Sequence, residues 1–174
     1  MKYIYSIIMV LSLFSCKSYE PLATVKDFKI DRYMGKWYEI GRFPNKFEKG
    51  LQCVTAEYRL KPNGKVAVIN SGQKEDGKVK TAQGTARVPD SAVPGQLKVT
   101  FFWPFSGDYY VIDIDQDYTV ALVGSPSRDY LWILARTTTI DEEKYTELLT
   151  KAQRVHFDVK RMVKINQDCP KEKD

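Results

Sequence analysis

The chain has a single histidine, His156, and only three cysteines, Cys16, Cys53 and Cys169. One histidine is too few to build a nucleophile–histidine–aspartate set with any assurance. The sequence has no glycine-rich phosphate loop and no metal-ligand spacing of His, Cys, Asp and Glu. An acidic run at 113–117 suggests calcium, but an EF-hand loop requires Gly at its sixth position and Glu at its twelfth. Tyr118 and Gly124 stand there instead, and solvated charges in a hairpin explain the run better. Internal repeats and low-complexity segments are also lacking. The one apolar run, residues 4–14, is too short to span a bilayer comfortably. Neither a cofactor nor a metal is expected.

A strong excess of one charge is missing too. The 27 basic residues face 22 acidic ones, giving a net charge of +5. The densest basic stretch, 160–164, alternates with apolar residues as a strand with one wet face would, so no nucleic-acid partner is expected. The mild surplus suits solubility, or contact with anionic lipid head groups. What the chain does have is aromatic side chains. Its eleven Tyr, eight Phe and three Trp must be buried or must line something. At 174 residues it is long enough for one domain with a substantial core.

Residues 1–15 read as an export signal: Lys2 supplies a positive region, 4–14 are almost wholly apolar, and Ser15 precedes Cys16. Leu13-Phe14-Ser15-Cys16 resembles the lipobox of bacterial lipoproteins, in which the cysteine thiol is diacylated and becomes the new amino terminus. The alternative is an ordinary secretory signal with a chance cysteine. Acylation adds about 0.8 kcal/mol of membrane affinity per buried methylene. Residues 16–27 then form the lipidated terminus and a tether, whose reach is up to roughly 30 Å when extended. No Asp follows Cys16, which favours the outer membrane of a bacterium.

With Cys16 lipidated, Cys53 and Cys169 remain in an oxidising compartment, where an even pair usually forms a disulfide. The other reading, a reactive thiol in a pocket, needs a base, and His156 follows a predicted helix with no evident route to Cys53.

From residue 36 onward, short alternating segments are separated by turn residues. Candidate strands are 37–43, 53–60, 65–71, 80–88, 96–103, 109–114, 118–124 and 130–137. Eight strands at this spacing predict an antiparallel sandwich or barrel. One helix interrupts the pattern. Thr139 or Asp141 can cap it, Glu142 and Glu143 suit its positive end, and Tyr145, Leu148, Leu149 and Ala152 form one apolar stripe. A short ninth strand, 162–165, follows.

Gly35-Lys36-Trp37 resembles the Gly-x-Trp signature that opens the first strand of lipocalins. Asp117-Tyr118 is similar to the family's element between the sixth and seventh strands, and Arg136 falls at its third signature. Residues 38–43 and 128–137 look like segments of the bacterial outer-membrane lipoprotein lipocalins, a subgroup similar to apolipoprotein D. Pairing of Cys53 with Cys169 is more like apolipoprotein D. The resemblance implies an all-β fold: an eight-stranded antiparallel up-and-down β-barrel, a C-terminal α-helix packed outside and a short ninth strand. It places the domain at 28–168 and leaves 169–174 as a tail. Gly35, Trp37, Asp117, Tyr118 and Arg136 are then structural, with Trp37 plugging the closed end beneath the Arg136 guanidinium.

An eight-stranded barrel holds one small ligand, and the period of two selects the side chains that meet it. Phase from Arg136 turns Leu134, Trp132 and Tyr130 inward, and phase from Trp37 turns Glu39 inward. The resemblance sets the remaining strands: Ala56, Tyr58, Val68, Asn70, Ala82, Ala86, Val99, Phe101, Tyr109 and Val111. These positions suit a fatty acid, a lysophospholipid or a similar amphipathic lipid, held for storage, transport or membrane maintenance. The competing readings are a lipocalin-fold enzyme acting on a lipid and a ligand-free structural surface lipoprotein. Expected partners are that small ligand and a membrane reached through Cys16; a homodimer is left open. Loops 44–51 and 104–108 belong at the open end. Phe47, Leu51, Trp103 and Phe105, there or nearby, form either an apolar rim that touches membrane or simple hairpin packing.

Overall fold

A computed structural model describes residues 20–169. Cys16, the export signal and the last five residues lie outside the described residues. A short helix α1 (Ile30–Tyr33) precedes eight long strands: β1 (Gly35–Arg42), β2 (Gln52–Leu60), β3 (Val66–Gln73), β4 (Val79–Arg87), β5 (Gln96–Phe102), β6 (Phe105–Ile114), β7 (Val120–Gly124) and β8 (Leu131–Ala135). Helix α2 (Glu142–Arg154), a 3-10 turn (Val159–Arg161) and strand β9 (Val163–Lys164) follow. Each strand pairs antiparallel with the next, β1 pairs with both β2 and β8, and the sheet closes into an eight-stranded up-and-down barrel. Outside the barrel, β9 adds to β1 at Gly41 and Arg42. This is the lipocalin fold anticipated from the sequence.

Two apolar layers hold it together. Inside the barrel, Trp37, Tyr33, Phe28, Tyr58, Val68, Val111 and Val123 form one cluster. Outside, Tyr145, Leu148 and Ala152 of α2 pack on Leu122, Leu131, Ile133 and Ala135. Strands β7 and β8 therefore bury both faces and read as nearly unbroken apolar runs. Strand β2, with one wet face, alternates. Leu149 of the predicted stripe is only half-buried.

Several boundaries move. Strand β6 begins at Phe105, four residues before the predicted start, because it extends the β5 hairpin as far as a Phe102–Phe105 pair. Strand β7 begins at Val120 rather than 118, since Tyr118 adopts φ 58° and closes the preceding turn. Strand β8 stops at Ala135, one residue before Arg136. Asp141 occupies the N-cap position of α2 but makes no side-chain capping bond. Helix α1 was not anticipated; four residues are too short to show a helical period. Residues 20–27 are not a free tether over their whole length: Leu22 is buried against the α2 layer, and Val25 N donates to Val111 O at 3.0 Å. The Cys53–Cys169 disulfide forms, joining the start of β2 to the C-terminal segment.

Candidate functional site

Antiparallel order fixes the two ends of the barrel. Connections 61–65, 88–95 and 115–119, with α1, lie at one end; 43–51, 74–78, 103–104 and 125–130 lie at the other. The first end is sealed from the sequence upward. Gly35 has φ +91°, and a Cβ there would meet Arg136 Nη1 at 3.3 Å, so glycine lets the strand start beneath the guanidinium. The Arg136 guanidinium lies 3.9 Å from the Trp37 ring centroid. It donates to Lys36 O, Met34 O, Arg32 O and Tyr118 O at 2.8–3.2 Å. Trp37 Nε1 donates to Tyr33 O at 2.8 Å. Tyr118 is buried, and its hydroxyl accepts from Lys29 N at 2.7 Å.

Asp117, by contrast, is exposed. The carboxylate that builds this turn is Asp115, which accepts from Thr119 N at 2.6 Å and Val120 N at 2.9 Å. Partial burial pushes the Asp115 carboxyl up, but these hydrogen bonds outweigh it and hold the group below its usual range. Asp115 lies five residues before β7, one of three aspartates in the 113–117 run, and residue identity alone does not choose among them.

Above the seal stand three phenols. Tyr33 and Tyr58 hydroxyls each lie within hydrogen-bond distance of the Tyr109 hydroxyl, at 2.6 and 2.8 Å. Burial, foremost, pushes all three upward, so they stay neutral. Ala56, Tyr58, Val68, Ala86, Val111 and Leu134 are buried in this packed half.

The inner wall is different toward the other end. Asn70 faces Ala56 and Ala82 across the ladder, and Val99 faces Ala86, so all share the inward phase. Ala82 is nonetheless exposed, and Asn70, Val99, Tyr130 and Trp132 are only half-buried. Strand β4 pairs with β5 only at Thr85, Ala86 and Arg87, leaving its upper part with β3 alone. Phe101, 43% exposed, lies across this gap against Gly84, where a Cβ would come within 2.8 Å of the ring. Solvent therefore reaches the inner face of the open half. Asn70 Oδ1 is buried with no hydrogen-bond partner among the described residues.

One polar cluster stands in this wall, and only part of it was anticipated. A register shift between Glu39 and Gly41 places Arg42 opposite Trp132, in the phase of Glu39 opposite Leu134. This bulge turns both charged side chains inward, where Arg42 Nη1 donates to Glu39 Oε1 at 2.5 Å. Arg42 Nη2 donates to Glu48 O and Leu51 O at 2.8 and 3.0 Å, tying the 43–51 loop over the mouth. Glu48 folds inward and accepts from Trp132 Nε1 at 3.2 Å. Burial, then the neighbouring Glu48 carboxylate, pushes the Glu39 carboxyl well above its usual range, against the pull of Arg42. Strict alternation from Glu39 would turn Arg42 outward, and no pattern in the sequence marks the bulge.

At the rim, Tyr130 stacks on Trp132 with centroids 5.8 Å apart, and Phe47 stacks on Tyr130 at 6.4 Å. Leu51 leaves the predicted rim, because it is buried with Val54 and Ile165. Trp103 and Phe105 are 86% and 76% exposed, so hairpin packing does not account for them. Among the described residues, no three His, Cys, Asp or Glu side chains gather to hold a metal ion.

A closed eight-stranded calyx, sealed at one end by a Trp–Arg pair and reached by solvent at the other, defines the lipocalin class of barrels. The chain belongs to the lipocalin family: residues 28–167 match the lipocalin-like domain. It is 44% identical over 157 residues to the outer membrane lipoprotein Blc of Escherichia coli K12, covering 88% of this chain and 89% of that one. It is 36% identical over 153 residues to apolipoprotein D of Macaca fascicularis, covering 83% and 80%. Insecticyanin of the tobacco hornworm Manduca sexta shares the fold with a TM-score of 0.69 at 21% identity, covering 87% and 85%.

Proposed function

We propose that the protein is a lipocalin anchored by acylated Cys16 to the bacterial outer membrane, and that it takes a single-chain amphiphile such as a fatty acid or lysophospholipid into its open half without chemistry on it. The observation that carries this reading is the inner wall of the open half. Ala82, Phe101, Tyr130 and Trp132 share the inward phase yet keep solvent-exposed surface, beside a buried Asn70 acceptor that has no partner among the described residues. Apolar inward surface left open to solvent suits an acyl chain. An orphaned acceptor suits a hydroxyl or ammonium donor on the ligand, because buried polar groups are almost always paired.

The anchoring part rests on the lipobox resemblance and on relatives named outer membrane lipoprotein. The binding-only part is supported by the disulfide, which consumes the thiol that an enzymatic reading would require.

Native mass spectrometry of the purified chain tests it, paired with titration of lysophospholipid against Trp132 emission. The expected result is a co-purifying amphiphile and a saturable emission change. Saturation absent in titration, with no adduct in the spectrum, refutes binding. Intact mass separately reports whether Cys16 carries diacylglycerol.

A further inference from the structure

We propose that the open end of the barrel docks on an anionic bilayer, with the aromatic tip of the β5–β6 hairpin seated among the lipid head groups. This rests on the anchor reading above for its tether, though not for its docking surface. Phe102, Trp103 and Phe105 are 81%, 86% and 76% exposed at the tip of one hairpin. Three neighbouring rings in water are unusual for a soluble surface and mark an interaction site. Trp and Phe at a tip are the side chains that partition to a bilayer interface.

Two further observations choose the bilayer as the occupant. First, the chain enters the described domain at this same end. Arg128, in the 125–130 connection, donates from Nη2 to Glu20 O at 2.8 Å and pins that residue at the open rim. Cys16 lies four residues earlier, within roughly 14 Å of Glu20 even when fully extended. With Leu22 and Val25 docked, the leash is about a third of the length that residues 16–27 would give free. An acyl chain on so short a leash brings the mouth, rather than the sealed end, to the membrane.

Second, basic residues outnumber acidic ones on the rest of the rim. Lys46 and Lys49 lie in the 43–51 loop, and Lys74, Lys80 and Lys78, the last paired with Asp76 at 3.4 Å, lie on the β3–β4 hairpin. An open groove of about 600 Å³ runs between them, lined by Lys49, Lys74 and Lys80 together with Glu75 and Asp76. Glu48 of the same loop turns its charge into the calyx. Basic residues beside exposed rings are the combination that binds an anionic surface. Docked this way, Phe47, Tyr130 and Trp132 form a stacked aromatic path from the bilayer to the open wall, and an amphiphile crosses between them without entering bulk water.

Trp103 itself is the reporter. The full chain is reconstituted into phosphatidylethanolamine–phosphatidylglycerol vesicles whose acyl chains are brominated, and tryptophan emission is compared with that of Trp103→Phe. The expected result is strong quenching that Trp103→Phe largely loses. A Phe102→Ser/Phe105→Ser double variant should also lose it while keeping its melting temperature and its lysophospholipid titration. Equal quenching in the wild type and Trp103→Phe overturns the proposal. So does a wild-type dimer in sedimentation that the double variant abolishes, since a second copy then covers the rings. Intact mass keeps the two readings apart: a chain without lipid on Cys16 refutes the anchor, whereas an acylated chain whose Trp103 is not quenched refutes the docking.

Discussion

The two halves of one barrel share strands, register and hydrogen-bond ladders, yet they are built to opposite ends. In the sealed half the inward side chains pack into one apolar cluster. Trp37, Tyr33, Phe28 and Val111 are buried, and each polar group carried there has a partner: the indole on Tyr33 O, the guanidinium on four carbonyls, the phenols on one another. In the open half the same strands turn Ala82, Phe101, Tyr130 and Trp132 inward with solvent beside them, and Asn70 Oδ1 has no partner among the described residues. Stability is thus concentrated below the phenol layer and binding above it. A substitution below that layer should cost stability, and one above it should cost affinity.

The largest expected effect is at the seal. Trp37→Ala removes a fully buried indole and leaves the Arg136 guanidinium without its ring, so a loss of about 3–5 kcal/mol is expected in urea unfolding. If Trp37→Ala unfolds near the wild-type midpoint, the sealed half is not where the stability resides. Next in size is the disulfide. Cys53 and Cys169 are separated by 116 positions, and breaking the bridge by Cys53→Ser/Cys169→Ser should cost about 2–4 kcal/mol. Part of that loss is offset, because Gln167 Nε2 still donates to Glu39 O and Val54 O. Thermal unfolding with and without reductant checks it.

How far these halves were legible in the sequence follows from the kind of signal each depends on. The seal rests on residue identity: glycine at a positive φ, an indole, and an arginine a hundred residues away, all visible as letters. Phase followed from the period of two only where a signature residue anchors it, Trp37 in β1 and Arg136 beside β8; for the other strands it came from the resemblance. It failed at the bulge in β1, where one extra residue brings Arg42 inside, and no side-chain pattern announces an inserted residue. The letters point to Asp117 rather than Asp115 for a similar reason. Both lie in one acidic run, and only backbone geometry shows which carboxylate reaches Thr119 and Val120. Exposure of the hairpin rings was not readable at all, since a Phe packed within a hairpin and a Phe facing a membrane are the same letter.

The Glu39–Arg42–Glu48 cluster sits where the halves meet, so it should influence both, more gently. Glu39 is held well above its usual range, so between the ordinary carboxylate value and that raised one the native state binds more protons than the unfolded chain. Stability therefore falls as pH rises through this window, the reverse of an ordinary salt-bridged carboxylate. Glu48→Gln removes the charge that is second only to burial in raising Glu39. It should lower the Glu39 titration seen by carbon-detected NMR and flatten the pH slope, by about 1.4 kcal/mol for every tenfold change in the proton affinity of Glu39. An unchanged Glu39 titration in Glu48→Gln refutes the coupling.

The smallest effect on stability should accompany the sharpest effect on binding, and Ala82→Trp is the variant that separates them. Ala82 points inward but is exposed, so an indole there strikes no packed neighbour, and the unfolding free energy should stay within about 0.5 kcal/mol of wild type. The same indole stands where an acyl chain would lie against β4, opposite Asn70. Lysophospholipid affinity should then fall about tenfold or more, equivalent to at least about 1.4 kcal/mol of lost binding. If Ala82→Trp binds as tightly as the wild type, the upper wall is not the ligand surface and the division between halves fails. If it binds weakly but also melts early, the upper wall is packed after all, and the exposed face of β4 serves the fold rather than a ligand. Only weak binding on an unchanged fold sustains the division, because only there do one barrel's two ends answer to different measurements.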